Sequence, residues 1–95
     1  MTITEEDCKE MHNYRQLKTI PKDENLLNTI IIAVHMMDKN IIIKDFPLTE
    51  GFYHPFASYK KPKFQKPSDE VVNRLNTFIS GMVAYYKLNV VGHHA

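Results

Sequence analysis

The sequence predicts a mainly α-helical domain of three helices, at about residues 4–17, 22–38 and 68–88. Two observations favour this fold class. Apolar residues recur at helical spacing in each segment, and acidic residues follow each predicted helix start, where the helix dipole favours negative charge. Four prolines interrupt the stretch 46–67 between the second and third helices. Because proline has no backbone N–H donor, this stretch is predicted to be a long irregular loop, rich in proline and aromatic residues.

The first predicted helix begins with a capping box. Thr2 and Glu5 have the required spacing, and Glu6 and Asp7 add negative charge to the first turn. An apolar residue then recurs every three positions, giving the narrow stripe Cys8, Met11, Tyr14 and Leu17. The pattern predicts a short amphipathic helix with one face packed on the rest of the domain.

The second predicted helix begins after Pro21, which suits the first helical position, and Asp23 and Glu24 follow in the first turn. One broad apolar face consists of Leu26, Leu27, Ile30, Ile31, Val34 and Met37. Ile32 and Met36 make the opposite side apolar as well. A helix that is apolar all round is predicted to be central and largely buried.

An α+β fold with a β-hairpin at about residues 29–46 is the alternative. Residues 30–34 and 41–43 are rich in β-branched side chains, and residues 36–40 between them resemble a turn. Periodicity alone does not distinguish a short buried strand from a helix in such runs. The proline and the acidic residues at the start of the segment favour the helix.

The third predicted helix starts at Ser68, a favourable N-cap, which Asp69 and Glu70 follow. Its apolar series is Val71, Leu75, Phe78, Met82 and Tyr85, and a second stripe of mostly small residues consists of Thr77, Gly81, Ala84 and Leu88. Glycine inside a helix costs about 1 kcal/mol relative to alanine. Gly81 therefore indicates that another helix approaches closely, either from the same chain or from a second copy.

The 95 residues predict a single domain, 1–95, with a net charge of +1. The charge is uneven, because residues 1–50 carry six Lys or Arg against nine Asp or Glu, whereas residues 51–95 carry six against two. Such asymmetry permits head-to-tail association or an anionic partner at the second half. Abundant lysine, isoleucine and asparagine are typical of AT-rich coding sequence, as in a phage or other mobile element.

The single cysteine, Cys8, permits no disulfide within the chain and favours a reducing compartment. The acidic N-terminus lacks the pattern of a secretory signal. The longest apolar run, Ile30 to Met37, is far shorter than the roughly 20 residues of a membrane span. The sequence therefore predicts a cytoplasmic protein, in the host cytoplasm if a phage encodes it, with no membrane partner.

The functional prediction is a small non-enzymatic protein-binding module, such as an inhibitor or adaptor, that also forms a homo-oligomer. The predicted partner-binding residues are Phe52, Tyr53, Phe56, Tyr59, Lys60, Lys61, Lys63, Phe64 and Lys66. Aromatic side chains dominate protein interfaces, and lysines attract an acidic protein surface. Self-association is predicted through Thr77, Gly81, Ala84 and Leu88.

The alternative function is binding of nucleic acid or a small anionic nucleotide through the basic aromatic loop 59–67, with Arg15 contributing. Lysines bind phosphate and aromatic rings stack on bases. No catalytic residue, cofactor or metal ligand is predicted. The sequence contains no glycine-rich phosphate loop, no nucleophile elbow and no recognisable zinc-ligand spacing.

Overall fold

The computed structural model describes residues 5–46, 48–60 and 65–88 and has an α+β architecture. Its helices are α1 (Glu5–Met11), α2 (Glu24–Met37) and α3 (Asp69–Tyr86). Its strands are β1 (Arg15–Gln16), β2 (Ile20–Pro21), β3 (Ile41–Asp45), β4 (Phe52–Tyr53) and β5 (Pro55–Tyr59). The three-stranded antiparallel sheet has the order β1-β5-β3, and β2 and β4 form a separate two-stranded antiparallel sheet.

The mainly α prediction, a small three-helix protein, is wrong. The first helix ends at Met11, and the end of the predicted segment 4–17 instead contains β1, where Arg15 pairs with Ala57. The stretch 46–67 contains β4 and β5, which the prediction had as irregular loop. Strand pairing joins segments some 40 residues apart along the chain, and no local pattern shows which segments will meet.

The predicted hairpin over 29–46 is also absent. Its first half belongs to α2, and only Ile41–Asp45 is a strand, β3, whose partner is β5 rather than residues 30–34. The fold is therefore α+β, as the alternative prediction stated, but its strands are not those of the predicted hairpin. The β-branched run 30–34 is helical because its flanking caps and its burial on one face outweigh its strand propensity.

Side-chain caps define where α2 and α3 begin. The Asp23 carboxylate accepts a hydrogen bond from the Leu26 N–H at 3.0 Å, and the Ser68 hydroxyl accepts one from the Val71 N–H at 3.3 Å. Each cap satisfies a backbone donor that has no partner within the helix. The predicted boundaries 22–38 and 68–88 therefore lie within two residues of the observed ones.

The central strand β5 tolerates a proline because Pro55 occupies its first position. Successive side chains of a strand point to opposite faces of the sheet. Ala57 accordingly packs in the main core, whereas Phe56 packs in a second, aromatic core on the other face. Both residues are at most 5% exposed.

The main core lies between the sheet and the pair α2 and α3. Its buried members are Leu17, Ile20, Leu26, Ile30, Val34, Ile41, Ala57, Val72, Leu75 and Ile79. The aromatic core is smaller and contains Tyr14, Phe46 and Phe56. The Phe46 ring makes edge contacts with the other two, at centroid distances of 5.7 Å to Tyr14 and 5.1 Å to Phe56. Edge-to-face pairs add stabilisation beyond the area that they bury.

In the described part of the chain, no helix combines the length and the hydropathy that crossing a membrane would require.

Replacing Phe46 by alanine tests the aromatic core. Phe46 is fully buried, so Phe46→Ala is expected to lower the free energy of unfolding by about 3–5 kcal/mol in chemical denaturation. Phe52→Ala is the matched control, because Phe52 is 51% exposed and its loss should cost less than about 1 kcal/mol. Equal losses for the two variants would contradict the packing described.

Candidate functional site

The aromatic residues predicted to bind a partner occupy different environments. Phe52 lies on β4 and is half-exposed, whereas Tyr53 and Tyr59 are partly buried against the main core. Phe56 is buried in the aromatic core, so its side chain serves the fold and not the surface. Of these four rings, that of Phe52 offers the largest exposed fraction.

The lysines of the same predicted site follow β5. Lys60 and Lys66 are exposed, while Lys61, Lys63 and Phe64 lie outside the described residues. The Lys60 backbone N–H donates to the Asn40 carbonyl at 2.8 Å, which holds the end of β5 against the start of β3. Phe52 precedes β5 and Lys60 follows it, so a strand about 16 Å long separates them. The described members of the site therefore do not form one compact patch.

Arg15, proposed to contribute to nucleotide binding, is engaged within the fold. Its guanidinium forms an ion pair with the Asp69 carboxylate and donates a hydrogen bond to the Pro67 carbonyl at 3.2 Å. These contacts join β1 to the start of α3. An anionic ligand at Arg15 would have to compete with Asp69, so this residue is better suited to positioning α3 than to binding phosphate.

The small-residue stripe of α3 faces solvent along its length. Thr77, Gly81 and Ala84 are exposed, and Leu88, one turn further, is 70% exposed. A Cβ atom added at Gly81 would meet no atom within 4 Å, so no other part of the described chain approaches this glycine. Gly81 is therefore not explained by close packing against another helix of the described chain, and contact with a second copy is the explanation that remains.

The exposed large apolar side chains cluster on two helices. Among the described residues there are six: Ile32, Met36, Met37, Phe52, Tyr85 and Leu88. All except Phe52 lie on α2, on α3 or immediately after α3. The prediction that α2 is central and largely buried is wrong, because Ile32 is 60% and Met36 82% exposed. The exposed side of α2 also carries polar residues, among them Asn25 and Asn28.

Two shallow cavities flank the second half of α3. One, about 300 Å³, lies between this part of α3 and the start of α2; Leu26, Met82, Tyr85 and Tyr86 are among the residues that line it. The other, about 380 Å³, lies on the opposite side of α3. Lys18 and Lys87 line it together with the apolar residues Ile79 and Val83. The sequence prediction identified neither cavity, because each joins segments that are distant along the chain.

Asp23 and Tyr86 meet in the first of these cavities. Burial of the Tyr86 hydroxyl and the Asp23 carboxylate beside it raise the pKa of this phenol above its ordinary value of 10. The hydroxyl keeps its proton, so it faces the carboxylate as a hydrogen-bond donor. Because Asp23 also caps α2, this contact ties the start of α2 to the end of α3.

Within the described ranges, no group of three or more His, Cys, Asp or Glu side chains is placed to hold a metal ion. The chain matches no known family of proteins, and no curated protein or solved structure is significantly similar to it.

The environment of Gly81 leads to a stability prediction. In the single chain, measured at a protein concentration low enough for it to be monomeric, Gly81→Ala should raise the free energy of unfolding by about 0.5–1 kcal/mol, because alanine has the higher helix propensity and the added methyl group meets nothing. Gly51→Ala is the control. Gly51 has φ of +87°, which alanine adopts only with strain, so this variant should be destabilised. A loss of stability in Gly81→Ala, measured by denaturant titration, would show that its surroundings are crowded.

Proposed function

We propose that this chain is a small non-enzymatic protein-binding module that self-associates through the outer face of α3. The observation that carries the proposal is the exposed small-residue stripe of α3, where Gly81 meets nothing and Leu88 at its end is 70% exposed. Soluble monomers rarely expose large contiguous apolar surface, and such surface marks sites of protein interaction. The outer side of α2 adds the exposed side chains of Ile32, Met36 and Met37 to this apolar surface.

The α3 face suits a second copy of the same chain. In a two-fold antiparallel pairing centred near residue 79, Thr77 of each copy lies opposite Gly81 of the other, and the absent side chain of Gly81 allows close approach. The same arrangement brings Glu70 of one copy near Lys87 of the other, so the opposite charges at the two ends of α3 are complementary. Leu88, at the end of the stripe, adds apolar area.

The proposed partner surface extends along β5, with Phe52 of β4 before its start and Lys60 and Lys66 beyond its end. Phe52 supplies an exposed ring, and Lys60 and Lys66 supply positive charge. These features suit an acidic protein surface, which the lysines would attract over a distance and Phe52 would contact. An inhibitor or adaptor acting in the cytoplasm is the role that fits a small module with two such surfaces.

Light scattering after size-exclusion chromatography, at low and high salt, tests the proposal. The expected result is a molar mass of two chains or more at both salt concentrations, with an ultraviolet absorbance ratio free of nucleic acid, because apolar contacts resist screening. A monomer that co-elutes with nucleic acid and releases it in salt would instead support the alternative function through loop 59–67.

Gly81→Leu is the variant that should separate folding from association. A leucine side chain fits the exposed helix surface of the single chain but prevents the close approach of a second α3, so the molar mass should fall to that of one chain. Gln16→Leu is the control. Gln16 is exposed and pairs with Phe56, on the sheet face away from α2 and α3, so its replacement should leave the molar mass unchanged.

Circular dichroism verifies that both variants remain folded. If Gly81→Leu elutes as an oligomer indistinguishable from the unmodified chain, the α3 face is not the interface.

A further inference from the structure

The cavity between α2 and α3 is built differently from the exposed apolar layer beside it. Leu26, which is 7% exposed, and Met82 provide apolar walls, and the consecutive residues Tyr85 and Tyr86 provide aromatic rings. Among the described residues that line it, Asp23 alone is charged. A volume of about 300 Å³ is at the small end for ligand pockets, so the cavity suits a single side chain or a small molecule.

The Asp23 carboxylate is held in position but not saturated. One of its oxygens accepts the Leu26 N–H at 3.0 Å, and Tyr86 lines the same cavity. A carboxylate offers about four acceptor positions, so this cap leaves it able to accept more. The backbone N–H of Asp23 donates to the Pro21 carbonyl at 2.7 Å, which fixes the residue from the other side. Little ordering of Asp23 is therefore required when a ligand binds.

The charge and the rings favour a cation. The start of α2 carries roughly half a positive charge from the helix dipole, which the full negative charge of Asp23 exceeds. Aromatic faces attract cations, and more strongly the further the pair is desolvated. An ammonium or guanidinium group also brings several N–H donors for the remaining acceptor positions of Asp23. The apolar walls formed by Leu26 and Met82 suit the aliphatic stem that such groups carry.

We propose that this cavity binds a cationic group on an aliphatic stem, with Asp23 as its counter-ion and Tyr85 and Tyr86 beside it. Two sources share that chemistry, namely a lysine or arginine side chain of another protein and a free alkylamine. The site shares no residue with the α3 stripe or with the lysines that follow β5. Cation binding can therefore be tested independently of the proposed self-association. It also has the opposite polarity to the cavity at Lys18 and Lys87.

Titration of the ¹⁵N-labelled chain, followed by amide chemical shifts, tests the site. The probes are n-butylamine, a lysine blocked at both ends, and a blocked norleucine, which has the same stem without the charge. Saturable shifts at Leu26, Thr29 and Met82 are expected with both cations, with affinity at least fivefold weaker for norleucine. Blocked lysine binding at least tenfold more tightly than butylamine would identify a protein side chain as the ligand, and similar affinities would identify a free amine.

Asp23→Asn is the decisive variant, because asparagine caps a helix as well as aspartate does and removes only the charge. It should weaken binding of both cations at least fivefold. Asp23→Ser, which also preserves a cap, serves the same purpose if the first variant fails to fold. Lys87→Ala, in the opposite cavity, should leave cation binding unchanged. The proposal is overturned if neither cation saturates at millimolar concentration, if norleucine binds equally well, or if the Asp23 variants retain full affinity.

Discussion

The antiparallel pairing of β5 with both β1 and β3 is the interaction on which the rest of the structure depends. The register from Ile41↔Tyr59 to Asp45↔Pro55 sets which side chains of β5 face the helices. Since side chains alternate along a strand, one register determines both cores. A shift of one residue would turn Phe56 towards α2 and α3 and Ala57 away from them, and both cores would be lost. The short edge strand β1 then places Arg15 where it can pair with Asp69 at the start of α3.

The two faces of this sheet are covered unequally, and the helices that cover one face have an exposed outer surface. The pair α2 and α3 covers one face, and the small aromatic core around Phe46 lies on the other. A single layer of helices has an inner side that the sheet covers and an outer side that nothing in the described chain covers. Because Ile32 and Met36 of α2 are exposed, as are Tyr85 of α3 and Leu88 just after it, the outer side retains apolar area that association would bury.

The second half of α3 is where the candidate surfaces converge. Gly81 and its neighbours lie on the outer face, Asp23 and the two tyrosines lie on one flank, and Lys18 and Lys87 lie on the other. A flat apolar face suits another helix, whereas a cavity with one charge suits a small group of opposite charge. The division follows from the position of α3 between α2 on one side and the β1–β2 connection on the other. Each flank thus combines residues from two separate segments.

The sequence by itself determined the local features of this protein. The acidic residues near each start, the Ser68 cap and the helical periodicity predicted α2 and α3 within two residues, because these signals depend on residues a turn or two apart. Pro21, predicted as a first helical position, instead belongs to β2, and Asp23 caps α2. The sequence also marked Gly81 as unusual. Only the tertiary structure decided that residues 55–59 form the central strand, that Phe56 is buried and that Gly81 is open. Strand partners and burial depend on which distant segments come into contact. The free energy of those long-range contacts depends on the packing of the whole chain, which no local pattern contains.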